Sequence, residues 1–103
     1  MIRALVLYPS TATRFDFDYY LTKHTPLLEQ LWKPLGLVSV SISRGVSGLL
    51  PGTQPSYTVA TVLTFESPEA LSKAVSNGGA QILADIPNFT DVQPDVQVCD
   101  VLL

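Results

Sequence analysis

The amino-acid sequence predicts an α+β fold in which two helices cover one face of a four-stranded antiparallel sheet. Strand-like and helix-like segments follow one another as strand, helix, strand, strand, helix, strand (βαββαβ). The length of 103 residues fits one domain, spanning 1–103, with a single core. A composition of 47% apolar and 15% charged residues is typical of a globular chain and not of a disordered one.

The first strand and the first helix are predicted from an apolar run and from helix-capping residues. Residues 2–8 are apolar apart from one arginine, which predicts a strand buried on both faces. Thr13 or Asp16 is expected to cap the helix that follows. The helical pattern continues to about Leu35, and Gly36 is expected to end it.

One face of this helix combines apolar side chains with the only histidine of the chain. Steps of three and four residues place seven side chains together on that face: Phe17, Tyr20, His24, Leu27, Leu28, Leu31 and Leu35. Pro26 removes a backbone donor within the helix. We therefore expect either a kink or a helix that restarts with Thr25 as its cap and Pro26 in its first turn.

Two strands follow, separated by a loop at residues 46–56. Residues 37–45 alternate between aliphatic side chains and serines, which predicts a strand with two different faces. The serine row is interpreted either as a solvated face or as the lining of a cavity. Residues 57–65 are rich in β-branched and aromatic side chains and form the strongest strand pattern of the chain.

The second helix and the last strand complete the order. Ser67 is expected to cap the helix, with Pro68 in its first turn. Residues 77–79 (Asn-Gly-Gly) either end this helix or interrupt it before a short turn. After a loop at residues 87–94, residues 96–103 are predicted to form the fourth strand.

This order predicts a ferredoxin-like sandwich with both helices on one face of the sheet. The opposite face would then be uncovered, although its strands carry apolar residues on both sides. A second copy of the chain can cover that face through a self-complementary, two-fold interface. The sequence therefore predicts a homodimer in which two sheets form a dimeric α+β barrel.

Charge and composition exclude several classes of function. The net charge is −3 and the six basic residues are scattered, which argues against nucleic-acid binding. The single cysteine permits no internal disulfide, and with only one histidine a conventional zinc site is not expected. A lone cysteine also fits the reducing cytoplasm. No signal peptide or membrane span is expected, because the apolar start is too short, and catalytic triads and phosphate loops find no support.

His24 is the candidate for chemistry because histidine is the side chain that titrates near neutral pH. Tyr20 lies one turn before it on the same helix face. The alternative interpretation is that both are packed core residues with satisfied polar atoms. Cys99 is interpreted as a small buried hydrophobe within the last strand.

The segment around His24 resembles the EthD family, whose pattern combines an aromatic pair with His-X-Pro-Leu on the first helix. Here the matching residues are Tyr19, Tyr20, His24, Pro26 and Leu27. Residues 65–71 and 85–89 also resemble the second helix of the family and the segment after it. The resemblance implies a small dimeric α+β barrel found near ether-degrading haem monooxygenase genes, and thus a context of oxidative catabolism and xenobiotic degradation.

Three functional hypotheses follow. In the first, the protein binds a small, largely apolar compound in a cleft lined by Tyr20, His24, Leu28 and Tyr8, with Trp32 at its rim. It would do so either alone or as a non-catalytic accessory protein of a monooxygenase system. The second is a cofactor-independent monooxygenase (an oxidoreductase) or isomerase. In it His24 is the base, Tyr19 or Tyr20 binds the oxyanion, and the imidazole is oriented by Asp16, Asp85 or Asp91. The third and minor hypothesis is haem ligation by His24. Apart from haem, no cofactor is expected.

Overall fold

The computed structural model describes residues 1–103 and confirms the predicted order of elements. The strands are β1 (Ile2–Pro9), β2 (Leu37–Arg44), β3 (Tyr57–Phe65) and β4 (Asp95–Asp100). They form one antiparallel sheet in the order β2-β3-β1-β4. Ala4 in β1 pairs with Leu63 on one side and with Val98 on the other. Because paired residues point to the same face, these three side chains share the face that the helices cover.

The α-helices are α1 (Phe17–Tyr19), α2 (Thr25–Trp32), α3 (Pro68–Ser76) and α4 (Gly79–Asp85). A π-helical turn at Tyr20–His24 joins α1 to α2, and a 3₁₀ turn at Lys33–Leu35 extends α2, so residues 17–35 form one long helix. Its predicted ends are confirmed: the Asp16 carboxylate accepts from the Tyr19 amide at 3.0 Å, and Gly36 has a φ of 110°. None of these helices combines the length and the apolarity that crossing a membrane requires.

The π-helical turn corrects what Pro26 was expected to do. Thr25 adopts helical angles and does not cap a new helix; its amide donates to the Tyr20 carbonyl, and its hydroxyl donates to the same oxygen at 2.7 Å. Residues four apart in an ideal α-helix drift by about 40° per step. The wider turn offsets part of this drift, so that Tyr20, His24, Leu28 and Trp32 are all buried.

The second helical region is divided in two. The Ser67 hydroxyl accepts from the Ala70 amide at 3.1 Å, which confirms the predicted cap. Gly78, with a φ of 124°, separates α3 from α4. The predicted fourth strand is wrong at its end, since β4 stops at Asp100 opposite Ile2, where β1 itself begins.

The two faces of the sheet differ in burial. The helix-facing side holds the core, and its fully or almost fully buried members on β1 and β3 are Ile2, Ala4, Tyr8, Val59, Thr61, Leu63 and Phe65. The expectation that β1 is buried on both faces is wrong for the single chain, because no helix covers the other side and Arg3 is exposed there. The serine row of β2 is exposed on that same open side. The dimer remains a prediction.

Candidate functional site

A cavity of about 230 Å³ lies between the helices and the sheet. The long helix contributes Tyr20, His24, Leu28 and Trp32, and the sheet contributes residues of β1, β3 and β4. Of the 18 lining residues, 14 are hydrophobic, and none is Asp, Glu, Lys or Arg. The cavity is therefore suited to an apolar occupant with very few polar groups.

His24 provides the only titratable nitrogen in this lining. It occupies the last position of the π-helical turn, and only 3% of the residue is exposed. Its Nδ1 atom lies 2.8 Å from Oδ2 of Asp85, which is the last residue of α4. Its Nε2 atom makes no hydrogen bond within the chain, whereas Nδ1 is fully engaged. The ring is thus anchored through one nitrogen, and the other has no partner within the chain.

Asp85 is held by donors on both oxygens. Oδ1 accepts from the Tyr19 hydroxyl at 2.7 Å and from the Asn88 amide at 2.9 Å, while Oδ2 faces His24. Partial burial raises the pKa of Asp85, but the hydrogen bonds from Asn88, Tyr19 and His24 together outweigh it and lower the pKa below its ordinary value. An ionised carboxylate only accepts hydrogen bonds. The proton between the two residues therefore belongs to Nδ1, so that in the neutral form of the imidazole the lone pair is on Nε2.

Hydroxyl groups accompany His24 in the cavity lining. The Tyr20 hydroxyl lies 2.6 Å from Oγ1 of Thr61 on β3. Burial raises the pKa of Tyr20, and burial together with the neighbouring Tyr20 raises the pKa of Tyr8. Both phenols therefore stay protonated and remain available as hydrogen-bond donors.

Aromatic rings fix the orientation of the imidazole. Tyr20 stacks on His24 with ring centroids 5.3 Å apart and an interplanar angle of 16°. Phe89 is fully buried and packs against the imidazole, with ring centroids 4.6 Å apart. It also contacts Tyr8 and Phe15. Such packing restricts the ring to one position, as a preorganised site requires.

The mouth of the cavity is apolar. Val75 of α3, Leu83 of α4 and the β4 residues Val96 and Val98 line the cavity and are also more than half exposed to solvent. The part of the cavity lining that is open to solvent is therefore apolar.

Comparison with known proteins identifies the family. Residues 9–93 match the EthD domain, which is most of the chain. This chain belongs to the EthD family. It is similar to the crystal structure of an EthD-like protein from Ralstonia eutropha, with 29% sequence identity and a TM-score of 0.90 over 99% of this chain and 92% of that chain. A search of curated proteins finds no significant match.

Two more distant solved structures extend the comparison. An EthD family protein from Bacillus halodurans is 20% identical, with a TM-score of 0.76 and 99% of each chain covered. A dimeric ferredoxin-like protein of unknown function from Thermobifida fusca is 15% identical, with a TM-score of 0.52 over 97% of this chain and 90% of that chain. At these identities the likeness concerns the fold alone.

Five of the six site residues predicted for this EthD family protein line the cavity: Tyr8, Tyr20, His24, Leu28 and Trp32. Trp32 is buried within the core, not at a rim, and its Nε1 atom has no hydrogen-bond partner. Tyr19 does not line the cavity, because its hydroxyl points to Asp85 on the other side of the imidazole. Whether any of these residues acts on a ligand stays a prediction.

Of the three aspartates considered, Asp85 contacts His24. Asp16 caps the long helix, and Asp91 accepts from the backbone amides of Thr13 and Arg14. Thr61, whose hydroxyl lies beside that of Tyr20, was not predicted as a site residue. Asn88 was not predicted either, and its only signal in the sequence is its spacing of three residues from Asp85.

Proposed function

We propose that this EthD family protein binds a small, largely apolar organic compound in the cavity next to His24. The observation that carries the proposal is the unpartnered Nε2 atom of an otherwise anchored histidine in an apolar lining. An apolar pocket with a few converging polar groups is the usual form of a small-molecule site.

The size of the cavity limits the compound. An engineered protein cavity of about 150 Å³ binds benzene, and the volume here is about 230 Å³. Pockets for drug-sized ligands begin at roughly 300 Å³. The expected ligand is therefore a single substituted ring or a branched compound of similar size.

The polar groups of the lining suggest one polar end on that compound. Nε2 of neutral His24 accepts a hydrogen bond, so it favours a ligand with a phenol, an enol or another acidic proton. The hydroxyls of Tyr20 and Thr61 are on the same cavity lining and can bond to an oxygen of the ligand. The remaining apolar lining is complementary to a hydrocarbon body.

The contact between His24 and Asp85 favours catalysis as a second candidate function, that of a cofactor-independent monooxygenase or an isomerase. Nε2 would take a proton from the bound compound, and the Asp85 carboxylate would stabilise the imidazolium that forms. Tyr20 would donate to the oxyanion. The resulting anion would either regain a proton at another carbon, which is an isomerisation, or be oxidised by dioxygen, with one oxygen atom entering the compound as a carbonyl and the other leaving as water.

A matched pair of ligands tests the binding proposal. Toluene and para-cresol differ by one hydroxyl, and we expect the wild-type protein to bind para-cresol about tenfold more tightly, as one hydrogen bond allows. In His24→Leu, both compounds should bind with similar affinity. Amide chemical-shift changes in a titration locate the site, and calorimetry gives the affinities.

The binding proposal is refuted if neither compound changes the chemical shifts of cavity residues. The role of His24 in it is refuted if the preference for para-cresol persists in His24→Leu. Product analysis after incubation of a panel of small phenols and enolisable ketones in air separates the catalytic role from binding alone. Binding without any product would leave the protein as a non-catalytic binding or accessory protein.

A further inference from the structure

We propose that Tyr19 and Asn88 are positioning residues that hold the Asp85 carboxylate in one orientation and thereby fix the tautomer of His24. The purpose of that tautomer rests on the proposed function, since a ligand with an acidic proton requires a lone pair on Nε2. The tautomer itself is a property of the protein without ligand and is tested independently.

Three donors converge on the two oxygens of Asp85. Oδ2 lies 2.8 Å from Nδ1 of His24, and Oδ1 receives Tyr19 at 2.7 Å and Asn88 at 2.9 Å. Nδ2 of Asn88 lies 3.4 Å from the hydroxyl oxygen of Tyr19. These two donors come from different parts of the chain, Tyr19 from α1 and Asn88 from the 3₁₀ turn Ile86–Asn88 after α4. The carboxylate is thus held from both sides, and a rotation about its side-chain bonds would break more than one contact.

Without these two donors, Asp85 would have an easy alternative. It ends α4, and its side chain is 14% exposed, so its oxygens can turn toward water. His24, whose side chain is only 4% exposed, cannot follow. Its Nδ1 would then lose its acceptor, and the proton could move to Nε2. Nε2 would then be a hydrogen-bond donor toward the cavity, whereas the bound compound needs an acceptor there.

Neither residue was expected in this role. Tyr19 matched the aromatic pair of the EthD pattern and was interpreted as an oxyanion donor, but it lies outside the cavity lining. Its hydroxyl acts on the far side of the imidazole. Tyr19 and Asn88 therefore act through Asp85, in the way that outer hydrogen bonds fix the orientation of a functional histidine.

The single histidine of the chain makes the proposal directly measurable. Long-range ¹H–¹⁵N NMR spectra, recorded in a buffer alkaline enough to keep the imidazole neutral, distinguish a protonated from an unprotonated ring nitrogen. We expect the wild-type protein to hold the proton on Nδ1. Tyr19→Phe and Asn88→Ala should each lower the ratio of the Nδ1–H to the Nε2–H form by about tenfold, while the backbone amide spectrum keeps its native dispersion.

Two matched variants control for general effects of the substitutions. Tyr57→Phe removes another tyrosine-to-carboxylate bond, to Asp95 at 3.3 Å, and Asn77→Ala removes an asparagine side chain bonded to the Lys73 carbonyl. Both should leave the His24 tautomer unchanged. The proposal is overturned if wild-type His24 carries its proton on Nε2, or if the ratio in Tyr19→Phe and Asn88→Ala equals that of the controls. It is upheld even if para-cresol does not bind, so the two failures are distinct.

Discussion

The buried contact between Tyr20 and Thr61 allows a quantitative test of how the polar end of the cavity is built. The two hydroxyl oxygens are 2.6 Å apart, and both residues are at most 3% exposed. Tyr20→Phe and Thr61→Val each remove one hydroxyl while keeping the shape of the side chain close to the original. Each single substitution therefore leaves the partner hydroxyl buried without this hydrogen bond.

The expected magnitude follows from that asymmetry. A buried polar group that loses its partner costs about 1–3 kcal/mol of unfolding free energy, whereas replacing both partners by apolar groups of the same shape is nearly neutral. The double variant Tyr20→Phe/Thr61→Val should therefore be no less stable than either single variant. The coupling energy from the double-mutant cycle should therefore be at least as large as the loss in one single variant, about 1–3 kcal/mol.

Urea unfolding followed by circular dichroism measures all four proteins. The expected losses are smaller than the stability of an ordinary domain, about 5–15 kcal/mol, so each variant should remain folded. Additive effects, with a double variant as unstable as the sum of the two singles, would refute the reasoning. That result would mean that the two hydroxyls do not satisfy one another.

Three further predictions concern the backbone, the Asp85 carboxylate and the aromatic packing. Gly36→Ala should lower the unfolding free energy, measured in urea, more than Gly52→Ala does. Both glycines have a positive φ, so both substitutions strain the backbone. Only at Gly36 would the new Cβ also clash with another atom, since it would lie 2.6 Å from Cβ of Ala70. The pKa of Asp85 is lowered from 3.8, so the ionised carboxylate contributes fully to the unfolding free energy above that value. This contribution disappears as the pH falls through the folded-state pKa. The stability difference between wild type and Asp85→Asn should therefore shrink in unfolding experiments below about pH 4. Phe89→Ala should lose about 3–5 kcal/mol in the same assay, since a fully buried ring is removed, and equal stability would contradict the packing described here.

Local patterns predicted the fold and much of the cavity. The three- and four-residue spacing of the long helix brought Tyr20, His24 and Leu28 together, and strand alternation placed Tyr8 on the side of the sheet that faces them. Capping chemistry at Asp16 and Ser67 was equally local.

Long-range geometry explains what the sequence did not reveal. Asp85 is 61 residues from His24, and no local rule distinguishes it from the other aspartates that occupy caps and turns. Thr61 resembles any strand threonine until the helix is placed above it. The π-helical turn also depends on tertiary packing, because Pro26 alone was equally consistent with a kink or a restarted helix.

The charges around His24 restrict the ligand more closely than the cavity volume does. The lining holds no Lys or Arg, so an anionic compound would lose its hydration without gaining a permanent cation. The carboxylate of Asp85 on the far side of the imidazole adds repulsion, although it would also stabilise a protonated His24. A neutral compound avoids both costs, and its acidic proton is the group that Nε2 can accept. We therefore expect para-cresol to bind as the neutral phenol and its affinity to fall when the pH is raised far enough to ionise it. Calorimetric titrations at two pH values measure this, and tighter binding of the phenolate would contradict the argument.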